Sequence, residues 1–300
     1  MRLAAVLHGN QWRIGLVSPD AAKITVLQAG LGTVDDVVSA GTQALAGLAE
    51  AADRPGALRL PLDEVTLGPP IRRHRRDVLC TGWNYWDHFE ESHGLREGQE
   101  PTGRPEHPTF FTKAPDTVTG PYDDIGHDAR LSGEWDYEVE VAVVIGRAGR
   151  SIPRERALAH VFGYCVANDV SLRDVQRAHG GQWFKGKSID ATMPLGPWLT
   201  TADEVEPAAL HVECELNGTV VQRASTAQMA FSLADLISEL SRGMTLHPGD
   251  LLLTGTPAGI GNARDPQLFL SPGDTLVSRV SGLGELRNRL VAANLVTPTA

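Results

Sequence analysis

The run 136-DYEVEVAVVIG-146 sets Glu138 and Glu140 two residues apart, and 161-VFGYCVAND-169 ends on Asn168 and Asp169. Side chains alternate faces along a strand, so both glutamates point the same way, with Cβ atoms about 6–7 Å apart. Ala142 and Val144 continue that face as apolar residues, which makes the strand read as buried on both sides. Two ionised carboxylates at such a boundary repel unless a cation lies between them. Asp169 alone would be a turn or cap residue. With the glutamates it completes an all-oxygen set. Hard oxygen donors without a Cys or His cluster suit Mg²⁺, Mn²⁺ or Ca²⁺ rather than zinc. Three carboxylates also leave coordination positions for a chelating substrate.

Two further groups have chemistry to offer. In 80-CTGWNYWDHFEESHG-94, His88 and Glu91 stand at i, i+3 and share a helix face. A carboxylate beside an imidazole fixes its tautomer and raises its basicity, giving a general base for water. Glu90 and His93 are neighbours without the same relation to the start of the turn. The second group is Lys187 in 181-GQWFKGKS-188, which spells the phosphate-loop pattern G-x-x-x-x-G-K-[ST]. That loop needs a buried strand before it and a helix after it. Here 171-SLRDVQRAHGG-181 precedes it, polar and helical in character, and 189-IDATMPLGPWL-199 follows with prolines at 194 and 197. Trp183 and Phe184 are bulky for an anion cradle. Lys187 therefore needs another use than a nucleotide.

The elements that must position these groups come from a chain of 300 residues, 42% hydrophobic and 21% charged, long enough for a sizeable core. A net charge of -10 speaks against a nucleic-acid or anionic-membrane surface, though not against an anionic substrate beside a local cation. Cys80, Cys165 and Cys214 form no C-x-x-C pair, which points to a reducing compartment. No apolar run has the length of a membrane span or a signal peptide, so the expectation is a cytoplasmic protein. Residues 1–18 read as a hairpin and 34–52 as a helix. From about residue 72, short β-like runs alternate with Gly/Pro-rich turns, and 231–243 is the clearest helix. The fold class expected is α+β, mostly β, with a small N-terminal α/β cap (1–71) on a catalytic domain (72–300).

The strings G-x-N-Y-x-x-H-x-x-E (Gly82–Glu91), D-Y-E-V-E (Asp136–Glu140), N-D-V-S-x-R-D-x-Q (Asn168–Gln176), G-K-S-x-D (Gly186–Asp190), P-L-G-P (Pro194–Pro197) and P-G-D-x-x-x-T-G-T-P-x-G-x-G (Pro248–Gly261) occur in one order. Together they resemble the fumarylacetoacetate hydrolase family, from roughly residue 72 to 285. The resemblance implies a mixed β-sandwich roll, a homodimer, and Mg²⁺ or Mn²⁺ (with Ca²⁺ as a further option) on Glu138, Glu140 and Asp169. It implies a water-activating dyad in His88 and Glu91, and in Lys187 a cation for developing negative charge. Gln176 is implied as a substrate contact, and Gly255 and Thr256 as the turn whose amides receive a substrate carboxylate.

The activity implied is hydrolysis of a C–C bond in an acylpyruvate-like 1,3-dicarbonyl acid, through an enolate stabilised by the metal and Lys187. Decarboxylation of oxaloacetate, or isomerisation and decarboxylation of aromatic-catabolism intermediates, is the alternative on the same site. The partner expected is a small anionic 2-oxo acid, with neither nucleic acid nor membrane. The polar segment 92–108 is expected to act as a lid, with Arg96 or Arg104 meeting a second substrate charge.

Overall fold

The structure, a computed structural model, describes residues 1–54, 57–94 and 103–297. Its centre is the strand Val139–Ile145, flanked antiparallel by Val161–Asn168 and Leu251–Leu253. Every residue of the first two strands is buried, as their near-continuous apolar runs require. Alternation serves two cores. Val139, Val141, Val143 and Ile145 enter one hydrophobic cluster, while Ala142 and Val144 enter another with Cys165 and Ala167.

A 12-stranded sheet runs outward from this centre. On one side it passes through Leu251–Leu253 to Val78–Gly82, in parallel, and then to Thr109–Lys113, antiparallel. On the other it passes through Met193–Thr201 to Arg2–His8 and the remaining N-terminal strands. A five-stranded sheet, containing His211–Leu216, Thr275–Val280 and Gly284–Ala292, covers one face. Its Val212, Leu216, Leu276 and Leu286 share a core with the odd-numbered residues of the central strand. The architecture is thus mostly β with mixed sheets, as expected.

The strands of residues 1–71 continue the same sheet, joined to it where Arg2–His8 pairs with Met193–Thr201. The hairpin turns at Gly9 and Asn10, both with φ near +57°, and Leu3 and Ile14 join the cluster that holds Ala142. The expected helix over 34–52 is two helices, Val34–Ala40 and Leu45–Ala52. Gly41, at φ 85°, breaks them, because its left-handed backbone cannot continue an α-helix. The helix expected over 231–243 forms over Leu233–Leu240, started by a capping box of Ser232 and Asp235. Among the described residues, no helix is long and apolar enough to cross a membrane.

Candidate active site

Strand register brings the acids together. Val139 pairs with Asn168, so the next rung sets Glu138 beside Asp169, and the Asp169 amide donates to the Glu138 carbonyl at 2.7 Å. Asn168 pins this end: its Oδ1 accepts from the Glu138 amide, and its Nδ2 donates to Ser278. One oxygen each from Glu138, Glu140 and Asp169 then lies within 4.8 Å of the others. All three side chains are buried.

Three cations surround them. Lys187 Nζ donates to Glu138 Oε2 at 2.7 Å and to Asp169 Oδ2 at 2.6 Å. Arg173 Nη2 donates to Glu138 Oε1 at 2.6 Å, and its Nε to Asp136 Oδ2 at 2.8 Å. Lys113 Nζ, 0% exposed, lies 2.7 Å from Asp169 Oδ1 and donates to the Val170 carbonyl. Burial disfavours the Glu138 carboxylate, yet Lys187 and Arg173 outweigh it and hold its pKa low, at about 2. Burial likewise works against the Lys187 ammonium, and Asp169 and Glu138 more than offset it. Glu140 differs. Burial, then Asp169 and Glu138, push its pKa well above the usual carboxylate range.

These residues fit a divalent cation. Among the described residues, Asp136, Glu138, Glu140 and Asp169 face only Arg173, Lys187 and Lys113, and Glu140 has no ion pair. Asp169 Oδ1 also receives no aligned hydrogen bond despite the nearby Lys113. One oxygen-rich cluster thus holds a carboxyl group without a cation and an orphaned acceptor, which a hard cation satisfies.

The helix Trp86–Glu91 presents the dyad: His88 Nδ1 lies 2.8 Å from Glu91 Oε1. Glu91 Oε2 in turn accepts from the Gly259 amide at 2.7 Å. A carboxylate on Nδ1 places the ring proton there and leaves Nε2 as the basic nitrogen. The glycine-rich turn 253-LTGTPAGIG-261 is a row of carboxylate anchors. The Gly255 amide donates to Glu140, Gly259 to Glu91 and Gly261 to Asp136. The anion met by the Gly255 amide is therefore a protein carboxylate, where a substrate carboxylate was expected. A side chain at Gly259 would place Cβ 2.1 Å from the Val221 carbonyl, so only glycine allows this approach. Thr256 Oγ1 donates to the Val139 carbonyl and accepts from Gln222.

One cavity of ≈ 80 Å³ has His88, Glu138, Gln176, Lys187 and Thr256 on its wall. Trp183 and Phe111 line it too, their ring centroids 5.0 Å apart. Lys187 belongs to the short helix Phe184–Lys187, which follows the helix Arg173–Ala178 and precedes the strand Met193–Thr201. The elements around GQWFKGKS are thus the reverse of a phosphate loop's. Of the segment 92–108 expected to act as a lid, residues 95–102, with Arg96, lie outside the described residues. Arg104 pairs with Glu90, lies over Trp86 and lines a different groove.

Lys113, Arg173, Asp136 and Arg177 were not singled out from the sequence. Arg173 and Asp136 sit within the family-like strings, whereas a lone lysine in 109-TFFTKAP-115 gives no sign of pairing with Asp169.

Residues 77–291 match the family described as "Fumarylacetoacetate (FAA) hydrolase C-terminal". The chain is 42% identical over 248 residues to "Oxaloacetate tautomerase YisK" of Bacillus subtilis, covering 81% of this chain and 80% of that protein. The solved structure of "Fumarylacetoacetate hydrolase (EaFAH) from psychrophilic Exiguobacterium antarcticum" superposes with a TM-score of 0.83 at 35% identity, over 98% of this chain and all of that one. "Maleylpyruvate hydrolase from Sphingobium sp. SYK-6 in complex with manganese (II) ion and pyruvate" superposes with a TM-score of 0.79 at 29% identity, with the same coverage. The chain belongs to the fumarylacetoacetate hydrolase family and is an enzyme of its metal-dependent kind.

Proposed function

We propose that this enzyme interconverts the keto and enol forms of a small 2-oxo acid of the oxaloacetate type, with Mg²⁺ or Mn²⁺ as its ion. The observation that carries the reading is that His88, with its tautomer set by Glu91, opens on the same cavity as Glu138 and Lys187. Isomerisation needs a base for a proton on the carbon beside the ketone, and positive charge for the enolate oxygen. A cation held by Glu138, Glu140 and Asp169 would supply Lewis acidity toward the 2-oxo acid. His88 Nε2 takes the carbon-bound proton and returns it to oxygen. Glu91 steadies the imidazolium that forms. Lys187 adds a fixed positive charge, and Trp183 and Phe111 keep water from the reacting carbon. The relative named an oxaloacetate tautomerase supports this choice.

Hydrolysis of an acylpyruvate is the second reading. The same dyad would then activate water, and the likeness to a maleylpyruvate hydrolase favours it. The proposal includes a homodimer, checked by light scattering. The deciding experiment follows enol absorbance of freshly dissolved oxaloacetate with added Mg²⁺ or Mn²⁺, beside cleavage of acylpyruvates and release of pyruvate. Metal-dependent loss of the enol signal without product formation supports the tautomerase. Acylpyruvate cleavage with no effect on the enol would replace it with the hydrolase.

A further inference from the structure

The cavity wall carries three cations among the described residues: Arg173, Arg177 and Lys187. Two are committed inward. Arg173 bonds Asp136 and Glu138, and Lys187 bonds Glu138 and Asp169, all buried acids. Arg177 is placed otherwise. Its ion-pair partner is Glu134, and both side chains keep contact with solvent, at 31% and 28% exposure. A half-buried pair with solvent at both partners is held less firmly than the buried pairs of Arg173 and Lys187, so it is the one a ligand can displace. Arg173 and Arg177 are one turn apart on the helix Arg173–Ala178, so their Cβ atoms are about 5–6 Å apart on one face. Arg173 reaches the metal-site carboxylates, whereas Arg177, partly exposed, lies on the solvent side of the same cavity wall.

We propose that Arg177 selects for a second carboxylate, so that the preferred ligand is a 2-oxo dicarboxylate whose distal group displaces Glu134 from the guanidinium. The assignment rests on the reading of the cavity as an oxaloacetate-type site and names the residue that tells the diacid from a monoacid. A planar guanidinium suits this task because it can grip a carboxylate with two parallel N–H donors. Glu134 is the competitor that occupies the fork until the ligand arrives: a diacid displaces it, and a ligand lacking the second charge leaves the pair intact.

The test compares oxaloacetate with 2-oxobutanoate, which carries a methyl group in place of the distal carboxylate. Binding to the Mn²⁺-supplemented protein is read by tryptophan fluorescence, since Trp83 and Trp183 line the cavity. Arg177→Gln should weaken oxaloacetate about tenfold, the loss of one charge-assisted contact, and leave 2-oxobutanoate unchanged. Glu134→Gln should tighten oxaloacetate several-fold, and it guards against an Arg177 variant that merely disturbs its helix. Equal weakening of both ligands by Arg177→Gln, or no weakening of oxaloacetate, would overturn the assignment. Selective diacid binding without isomerisation supports it, and counts only against the reaction proposed above.

Discussion

Lys187 Nζ stands 2.6 Å from Asp169 Oδ2, so the lysine of GQWFKGKS ends on a buried carboxylate of its own chain. Its position depends on a glycine. A Cβ on Gly186 would meet Gln176 Cγ at 2.4 Å, the Leu172 carbonyl at 2.7 Å and the Gln176 amide at 2.8 Å. Backbone atoms cannot yield cheaply. Gly186→Ala should destabilise the fold by about 1–3 kcal/mol and raise KM, because Gln176 and Lys187 both shift. Denaturant midpoints and initial rates check this, and an unchanged KM would show that the contact relaxes without moving the site.

Glu140 has a backbone amide but no cation, which makes it the most metal-dependent of the three acids. Glu140→Gln should lower Mn²⁺ affinity at least about a hundredfold. In metal-free protein the same change should raise Tm by about 2–4 °C for each kcal/mol of relieved repulsion. Calorimetry with and without a chelator reads both. A variant that binds Mn²⁺ normally would remove Glu140 from the ligand set.

Metal should stabilise the native chain by linkage. At a free concentration a hundred times Kd the gain is about 2.7 kcal/mol, reversed by chelator. A Tm unmoved by saturating Mg²⁺ and Mn²⁺ alike would count against the carboxylate cluster as a resident metal centre.

His88→Ala should cut kcat by about 10²–10⁴-fold while Mn²⁺ affinity stays within experimental error, since the imidazole is not in the carboxylate cluster. Glu91→Gln should do the same more weakly, by loosening the tautomer and the ring orientation. Parallel loss of metal binding in His88→Ala would mean that the residue supports the site instead of moving protons.

Lys113 is the buried partner of Asp169 that the chain cannot replace with solvent. Lys113→Met leaves Asp169 Oδ1 short of a cation, and should cost about 3–5 kcal/mol in metal-free protein. Added Mn²⁺ should recover part of that loss, because it meets the same carboxylate. Thermal melts at graded Mn²⁺ decide the point, and a variant as stable as the parent would show the pair to be energetically neutral.

Much of the site was legible because its signals are local. E-x-E on an apolar strand, a histidine one helical turn before a glutamate, and an aspartate closing a buried strand each state their geometry within a few residues. The helix split at Gly41 was less legible, because one glycine in an alanine-rich run is tolerated by pattern and decided by packing. Lys113 and Arg173 left weaker traces. Their function is to neutralise acids 56 and 35 residues away in sequence (169 − 113 and 173 − 138), and no periodicity encodes such a pairing.

The sequence by itself determined the strands, the acids on them and the dyad, since alternation and helical spacing follow from backbone geometry. Only the tertiary structure decided which charges meet. The register of Val139 with Asn168 aligns Glu138 with Asp169, and the glycine-rich turn commits its amides to Glu140, Glu91 and Asp136. Ion pairs and amide–carboxylate bonds act over a few ångströms in space, whatever the distance along the chain. That is why the role of Lys187 could be read as an anion partner from the sequence, while the identity of its anions required the fold.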